Sequence, residues 1–235
     1  MIRAILFDLD GTLLPMDQDA FVGDYLKRMT VKMHPHGYDP SQMAKAVWAG
    51  TGAMVLNDGS HTNEEVFWKA FSGTLDKDAK ADEQHFLDFY KTDFQLVRHA
   101  CGYNPSSAEL IHYLKDRGYQ LVLATNPLFP SIATHSRVRW AGLEPEDFSL
   151  ITTYENSRHC KPNPEYYRDI LETMNLKPEE CLMVGNDVTE DMVAATLGLQ
   201  VFLLTDCLIN KNKADINRYP HGDFSELFDF VRRLP

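Results

Sequence analysis

The chain has 235 residues, of which 44% are hydrophobic and 24% charged, an ordinary globular composition with enough apolar mass for a sizeable core. Its formal net charge of −11 excludes a partner gripped by its phosphate backbone, because no basic excess exists to displace counterions. A small phosphate ester stays open, since a bound divalent cation reverses the local sign.

No apolar run approaches the length of a membrane span, and Asp8 and Asp10 interrupt residues 2–7 too early for a secretory leader. Four cysteines, Cys101, Cys160, Cys181 and Cys207, are scattered without a CxxC and read as reduced thiols. The expectation is a cytoplasmic protein with neither nucleic-acid nor membrane partners. Oligomeric state is not legible. His34 and His36 lack a Cys partner or helical i, i+4 spacing and read as surface loop rather than metal site.

In chain order, residues 4–7 form the first of five short, continuously apolar runs. The others are 121–124, 150–152, 181–184 and 201–204. Runs of this kind suit strands buried on both faces of a parallel sheet. Between the first two lie helical patterns at 20–33, 41–49, 62–71 and 82–96, separated by Pro35, Gly37, Pro40, Gly50, Gly52 and Gly59, with no convincing strand. Such an insertion is large enough for a small helical domain. Trp48, Phe67, Trp68 and Phe71 stand at helical spacings within it and are expected to pack as its core, while the stretch with Gly50, Gly52 and Asn57-Asp58-Gly59 is expected to reach the crevice. Further helices are expected at 107–117, 164–175 and 224–233, alternating with the later strands to give an α/β doubly wound fold.

The strongest chemical signal is Phe7-Asp8-Leu9-Asp10-Gly11-Thr12-Leu13, directly after the first strand. Gly11 indicates a sharp turn there. In an open parallel sheet ligands bind beyond the carboxyl ends of the strands, which puts both acids in the crevice. A carboxylate approaching a phosphate dianion is repelled unless the charge is neutralised. Mg²⁺ suits that task, because it takes oxygen ligands from one or two carboxylates and the substrate phosphate.

The string resembles the first motif of the haloacid dehalogenase-like superfamily, and three further resemblances follow in order. Ala124-Thr125-Asn126 is similar to the second motif, a hydroxyl residue at a strand end. Cys160-Lys161-Pro162-Asn163-Pro164 is similar to the Lys-Pro-x-Pro element carrying the third motif's lysine. Met183-Val184-Gly185-Asn186-Asp187-Val188-Thr189-Glu190-Asp191 resembles the acidic fourth motif. The resemblance implies a Rossmann-like core, residues 1–15 and 104–235, with a five-stranded sheet in the order 3-2-1-4-5. Residues 16–103 would then be a helical C1 cap.

It further implies a Mg²⁺-dependent phosphatase acting on a small phosphorylated metabolite. Asp8 would be nucleophile and metal ligand, giving an aspartyl-phosphate. Asp10 would protonate the leaving oxygen and then deprotonate water, binding metal through its backbone carbonyl. Thr125 and Lys161 would hold the transferring oxygens, helped by backbone at Leu9 and Asp10 and by Asn126. Gly11 and Thr12 would support the turn, and Asp191 would pair with Lys161. The family's usual Gly-Asp is replaced here by Gly185-Asn186-Asp187, so the remaining ligand is Asn186 through its amide oxygen or Asp187 after a shift of the loop. Asn186 is the favoured assignment. Asp10 argues against the superfamily's dehalogenase and phosphonatase chemistries, which lack an acid there. A sugar phosphomutase and a non-catalytic phosphate-binding protein are the alternatives.

Overall fold

Ala4-Ile5-Leu6-Phe7 contains no polar side chain, and every one of its residues is fully buried. A strand so placed must be covered on both faces, and the computed structural model, which describes residues 1–234, shows how. β1 (Ala4–Phe7) lies between β2 (Gln120–Leu123) and β4 (Cys181–Gly185), both parallel to it. β3 (Leu150–Ile151) flanks β2, and β5 (Gln200–Leu204) flanks β4. The expected order 3-2-1-4-5 is extended by a sixth parallel strand, β6 (His221–Gly222), beside β5. Two residues carry no apolar run, so periodicity gives no sign of it.

Alternation along each strand divides the core. Ile5, Phe7, Leu121, Leu123, Leu182 and Val184 face α5 (Pro105–Asp116) and α8 (Phe224–Arg232). Ala4, Leu6, Val122 and Met183 face α7 (Pro164–Thr173) and the 3₁₀ turn Met192–Leu197. Between β1 and β2 the chain is helical, with α1 (Gln18–Met33), α2 (Pro40–Val55), α3 (Asn63–Leu75) and α4 (Glu83–Lys91). Asp17 and Asp39 cap α1 and α2, and Thr62 with Glu65 forms a reciprocal capping box on α3, each cap contributing about 1 kcal/mol.

The expected helix over 82–96 breaks at Thr92. Its backbone leaves the helical region, its hydroxyl donates to the Asp88 carbonyl at 2.7 Å, and the chain continues as a 3₁₀ turn, Asp93–Ala100. The insertion starts and ends side by side: Met16 and Cys101 form an antiparallel bridge, and the Gly102 N–H donates to the Pro15 carbonyl at 2.7 Å. One helix had no sequence signal. α6 (Ser131–Trp140) follows β2 and buries Ala133, Thr134, Ser136, Arg137, Val138 and Trp140, leaving no amphipathic stripe to recognise. Its N-terminus is held by Glu155, which accepts from the Ser131 N–H and hydroxyl. Among the described residues no helix is long and apolar enough to cross a membrane.

Candidate active site

Asp8 is the first residue past β1. Its N–H donates to the Val184 carbonyl at 2.9 Å, continuing the β1–β4 ladder and aligning the carboxylate at the sheet's carboxyl edge. Lys161, on the loop leading into α7, places Nζ 2.9 Å from Asp8 Oδ1 and 2.6 Å from Asp191 Oδ1. Lys161 and Asp191 are each 1% exposed. Burial disfavours the Lys161 charge, but Asp191 and Asp8 outweigh it and hold the ammonium well above the usual lysine range. Asp191 is fixed in turn by the Asp187 N–H, 2.9 Å from Oδ2. A Cβ on Gly185 would collide with that carboxylate, so the close approach of strand and loop requires glycine.

Thr12 binds the first turn to the fourth loop. Its hydroxyl lies 3.2 Å from Asp8 Oδ2 and 3.1 Å from Asn186 Oδ1, two acceptors facing one proton. The Asn186 amide nitrogen donates to the Cys207 carbonyl at 2.7 Å, which fixes the amide with its oxygen toward Thr12 and Asp8. Gly11, at φ +89°, turns the chain over this side chain, and a Cβ there would press on the Asn186 amide. Asp187 is differently employed: its Oδ1 accepts from the N–H groups of Thr189 and Glu190 at 2.7 and 3.0 Å, closing the loop. Among the described residues no three His, Cys, Asp or Glu side chains converge as a metal cluster. Asp8 Oδ2 and Asn186 Oδ1, which share a single proton, fit a hard cation that accepts few carboxylates and completes its shell with amide, backbone and water oxygens.

At the end of β2 the Thr125 carbonyl accepts from the Thr152 and Tyr166 hydroxyls at 2.7 and 2.9 Å. This fixes the peptide of Thr125, which is buried at the strand end. Asn126 ties two loops together, accepting from the Lys161 N–H at 3.2 Å and donating to Glu190 at 3.0 Å. Leu9 buries its side chain and spends its carbonyl on the N–H groups of Thr12 and Leu14, so any ligand contact it makes is through its own N–H.

Asp10 has a partner that sequence reasoning missed. Arg137 of α6 is 1% exposed and forms an ion pair with Asp10 Oδ2, while its guanidinium carbon sits 4.5 Å from the Phe129 ring centre. Asp10 Oδ1 and Arg137 Nε are buried without hydrogen-bond partners. Burial raises the Asp10 carboxyl above the usual aspartate range, although Arg137 pulls it down. Arg137 stands 127 residues away in a segment without periodicity, and only its burial marks it.

The loop 57–59 packs against the segment that precedes Lys161. Gly59, at φ +85°, lies so close to His159 that an added Cβ would stand 2.5 Å from its Nε2. Asn63, fully buried at the start of α3, accepts from Asn57 at 2.9 Å and donates toward the carbonyls of Pro127 and His159 and the Cys160 sulfur at 3.3–3.4 Å. The insertion is thereby fastened to both loops that carry Thr125 and Lys161.

Residues 2–197 match the family model for haloacid dehalogenase-like hydrolases. The chain belongs to that family. This haloacid dehalogenase-like hydrolase is 26% identical over 195 residues to a phosphoglycolate phosphatase of Colwellia psychrerythraea, covering 82% of this chain and 79% of that protein. Its fold is similar to that of a HAD phosphatase from Thermococcus onnurineus (TM-score 0.60, 20% identity, 98% of each chain). A 2-haloacid dehalogenase from Pseudomonas syringae is equally similar (TM-score 0.61, 19% identity, 99% of each chain). The fold is thus common to hydrolases of different bonds, and the reaction must be argued from the site.

Proposed function

We propose that this hydrolase is a Mg²⁺-dependent phosphatase that cleaves a small phosphate monoester through an aspartyl-phosphate on Asp8. The observation that carries this reading is the pair of acids on one turn, Asp8 held by Lys161 and Asp10 held by Arg137. A dehalogenating site needs only the first; a phosphoryl-transfer site uses the second to protonate the departing alkoxide. The name of the Colwellia relative supports the same bond.

In this mechanism Lys161 and the Thr125 hydroxyl bind the non-bridging oxygens and turn the phosphorus toward Asp8. Asp191 keeps Lys161 aimed at that position. Asp8 attacks phosphorus, the P–O bond to the alcohol breaks, and Asp10 delivers its proton to the leaving oxygen. Asp10 then removes a proton from the water that hydrolyses the acyl phosphate, releasing inorganic phosphate and restoring Asp8. Asp8, the Asp10 backbone carbonyl and Asn186, with Asp187 organising the loop, would hold a Mg²⁺ ion, which would supply the positive charge that lets a carboxylate approach a dianion. The helical insertion, residues 16–103, serves as the cap that closes the crevice, with residues 1–15 and 104–235 as the catalytic core. Phosphate release from p-nitrophenyl phosphate should require Mg²⁺ and disappear in Asp8→Asn. Turnover surviving that isosteric change would refute the nucleophile assignment.

A further inference from the structure

The insertion and the core enclose a cavity of about 130 Å³. Tyr25, Phe67, Trp68, Phe71 and Phe86 from the insertion and Phe129 from the core stand in its wall. Phe67, Trp68 and Phe71 therefore pack as insertion core and also present faces to an open space. Trp48, 56% exposed, borders it from the solvent side. The rings are fixed by mutual packing: Trp68 meets Phe71 and Phe86 edge to face at 5.8 and 5.4 Å, and Tyr25 meets Phe129 at 5.3 Å.

Three features give the space a chemical character. The wall contains no lysine or arginine, and its one carboxylate is Glu83. A ligand bearing a second carboxylate or phosphate would find no counter-charge there and would meet a like charge. The Trp68 indole N–H is buried and has no partner of hydrogen-bond geometry, although the Tyr154 hydroxyl is nearby. Trp68 is 6% exposed, so water reaches that donor poorly, and an acceptor on a bound ligand would satisfy it. The Tyr25 and Tyr90 hydroxyls, by contrast, satisfy each other at 3.0 Å.

The cavity wall also shares a loop with the site. Leu128 and Phe129 in its wall follow Thr125 by three and four residues, at most about 11–15 Å of chain. Phe129 lies under the Arg137 guanidinium, which is paired with Asp10, the group assigned to the leaving oxygen. An alcohol departing toward Asp10 therefore leaves on the side where the aromatic wall begins.

We propose that this cavity binds the alcohol half of the substrate, and that the substrate is the phosphate monoester of a compact aromatic or branched apolar alcohol without a second anionic group. The size agrees, since an apolar cavity of about 150 Å³ holds a benzene ring. This rests on the phosphatase reading for its catalytic half; the binding half stands without it.

The two halves are tested separately. Benzyl alcohol, which carries no phosphate, is titrated against the full chain while tryptophan fluorescence and melting temperature are followed. Saturable quenching with a rise in melting temperature supports the cavity site, and loss of both in Val47→Phe, which fills the wall, locates it. Absence of saturable binding to the unaltered protein overturns the cavity proposal, whatever the variant does. Benzyl phosphate and glycerol 1-phosphate are then compared with Mg²⁺ present. Because one methylene in an apolar pocket changes kcat/KM by about 10–200-fold, benzyl phosphate should be favoured at least tenfold. Equal turnover of the two esters overturns the substrate class while leaving the phosphatase reading intact. Binding of benzyl alcohol with neither ester hydrolysed supports the cavity and overturns the substrate class, and the phosphatase reading then stands or falls with p-nitrophenyl phosphate.

Discussion

Arg137 and Asp10 meet across the crevice as a buried ion pair, joining a helix without sequence signal to the most legible turn in the chain. A fully enclosed guanidinium facing one carboxylate leaves that carboxylate few alternative rotamers. Arg137 is thus placed to position the acid that the proposed mechanism needs.

Removing Arg137 should therefore be costly in two measurable ways. Arg137→Met strands the Asp10 charge and is expected to lower stability by about 3–5 kcal/mol in denaturant titration. Among the molecules that still fold, kcat/KM should fall at least tenfold for an alkyl phosphate, whose leaving group needs a proton, and far less for p-nitrophenyl phosphate. A uniform fall on both esters would make Arg137 merely structural. Arg137→Lys, which keeps the charge but loses the fork, should lie between.

Asn186 and Asp187 make opposite predictions for Mg²⁺. Asn186 turns its oxygen to Asp8 and Thr12, whereas Asp187 spends one oxygen on two backbone N–H groups. Asn186→Ala should raise the Mg²⁺ concentration for half-maximal activity by about 10–100-fold, and Asn186→Asp should lower it by adding a charge. Asp187→Ala should shift it less and cost about 1 kcal/mol of stability through the lost turn cap. A larger Mg²⁺ shift at Asp187 reverses the assignment.

Asn63 bridges the insertion to the loops of Thr125 and Lys161. Replacing it with leucine leaves the Pro127 and His159 carbonyls without this donor, and stability should drop by about 1–3 kcal/mol. Lys161 lies two residues beyond His159, so kcat should fall while KM for a small ester changes little. An unaltered kcat would show that the fastening does not position the lysine.

Asp169 holds the same segment from below, accepting from Arg158 at 2.8 Å and pairing with His159 at 2.7 Å. Burial pushes its carboxyl up, but Arg158 and His159 more than offset this and the net shift is downward. A depressed carboxyl contributes stability above its unfolded pKa, and that contribution is lost as pH falls through the folded value. Asp169→Asn should therefore lower the melting temperature at neutral pH, and the difference should close below the ordinary aspartate range. A difference that persists in acid would mean that the two forms differ by packing rather than charge.

What the sequence determined by itself was the frame and the acids. Four-residue apolar runs can be satisfied only by burial on both faces, so the parallel sheet and its strand-end crevice followed from composition and spacing alone. Asp8 and Asp10 were legible because they end a strand at a glycine turn, and Lys161 and Asp191 because their strings resemble motifs of the family. Only the tertiary structure decided the rest. β6 is too short for a period, and α6 is buried on several sides, so neither shows the alternation by which elements are recognised. Arg137 reaches Asp10 across 127 residues, and nothing local to either names the other. The proposed preference for Asn186 over Asp187 as metal ligand rests on contacts that no local string contains, the Cys207 carbonyl that orients the Asn186 amide and the loop N–H groups that occupy Asp187. The aromatic residues at 48, 67, 68 and 71 read as core because helical spacing reports only that a face is apolar, and Trp48 is exposed instead. Whether that face is filled or left open depends on the chain packed against it.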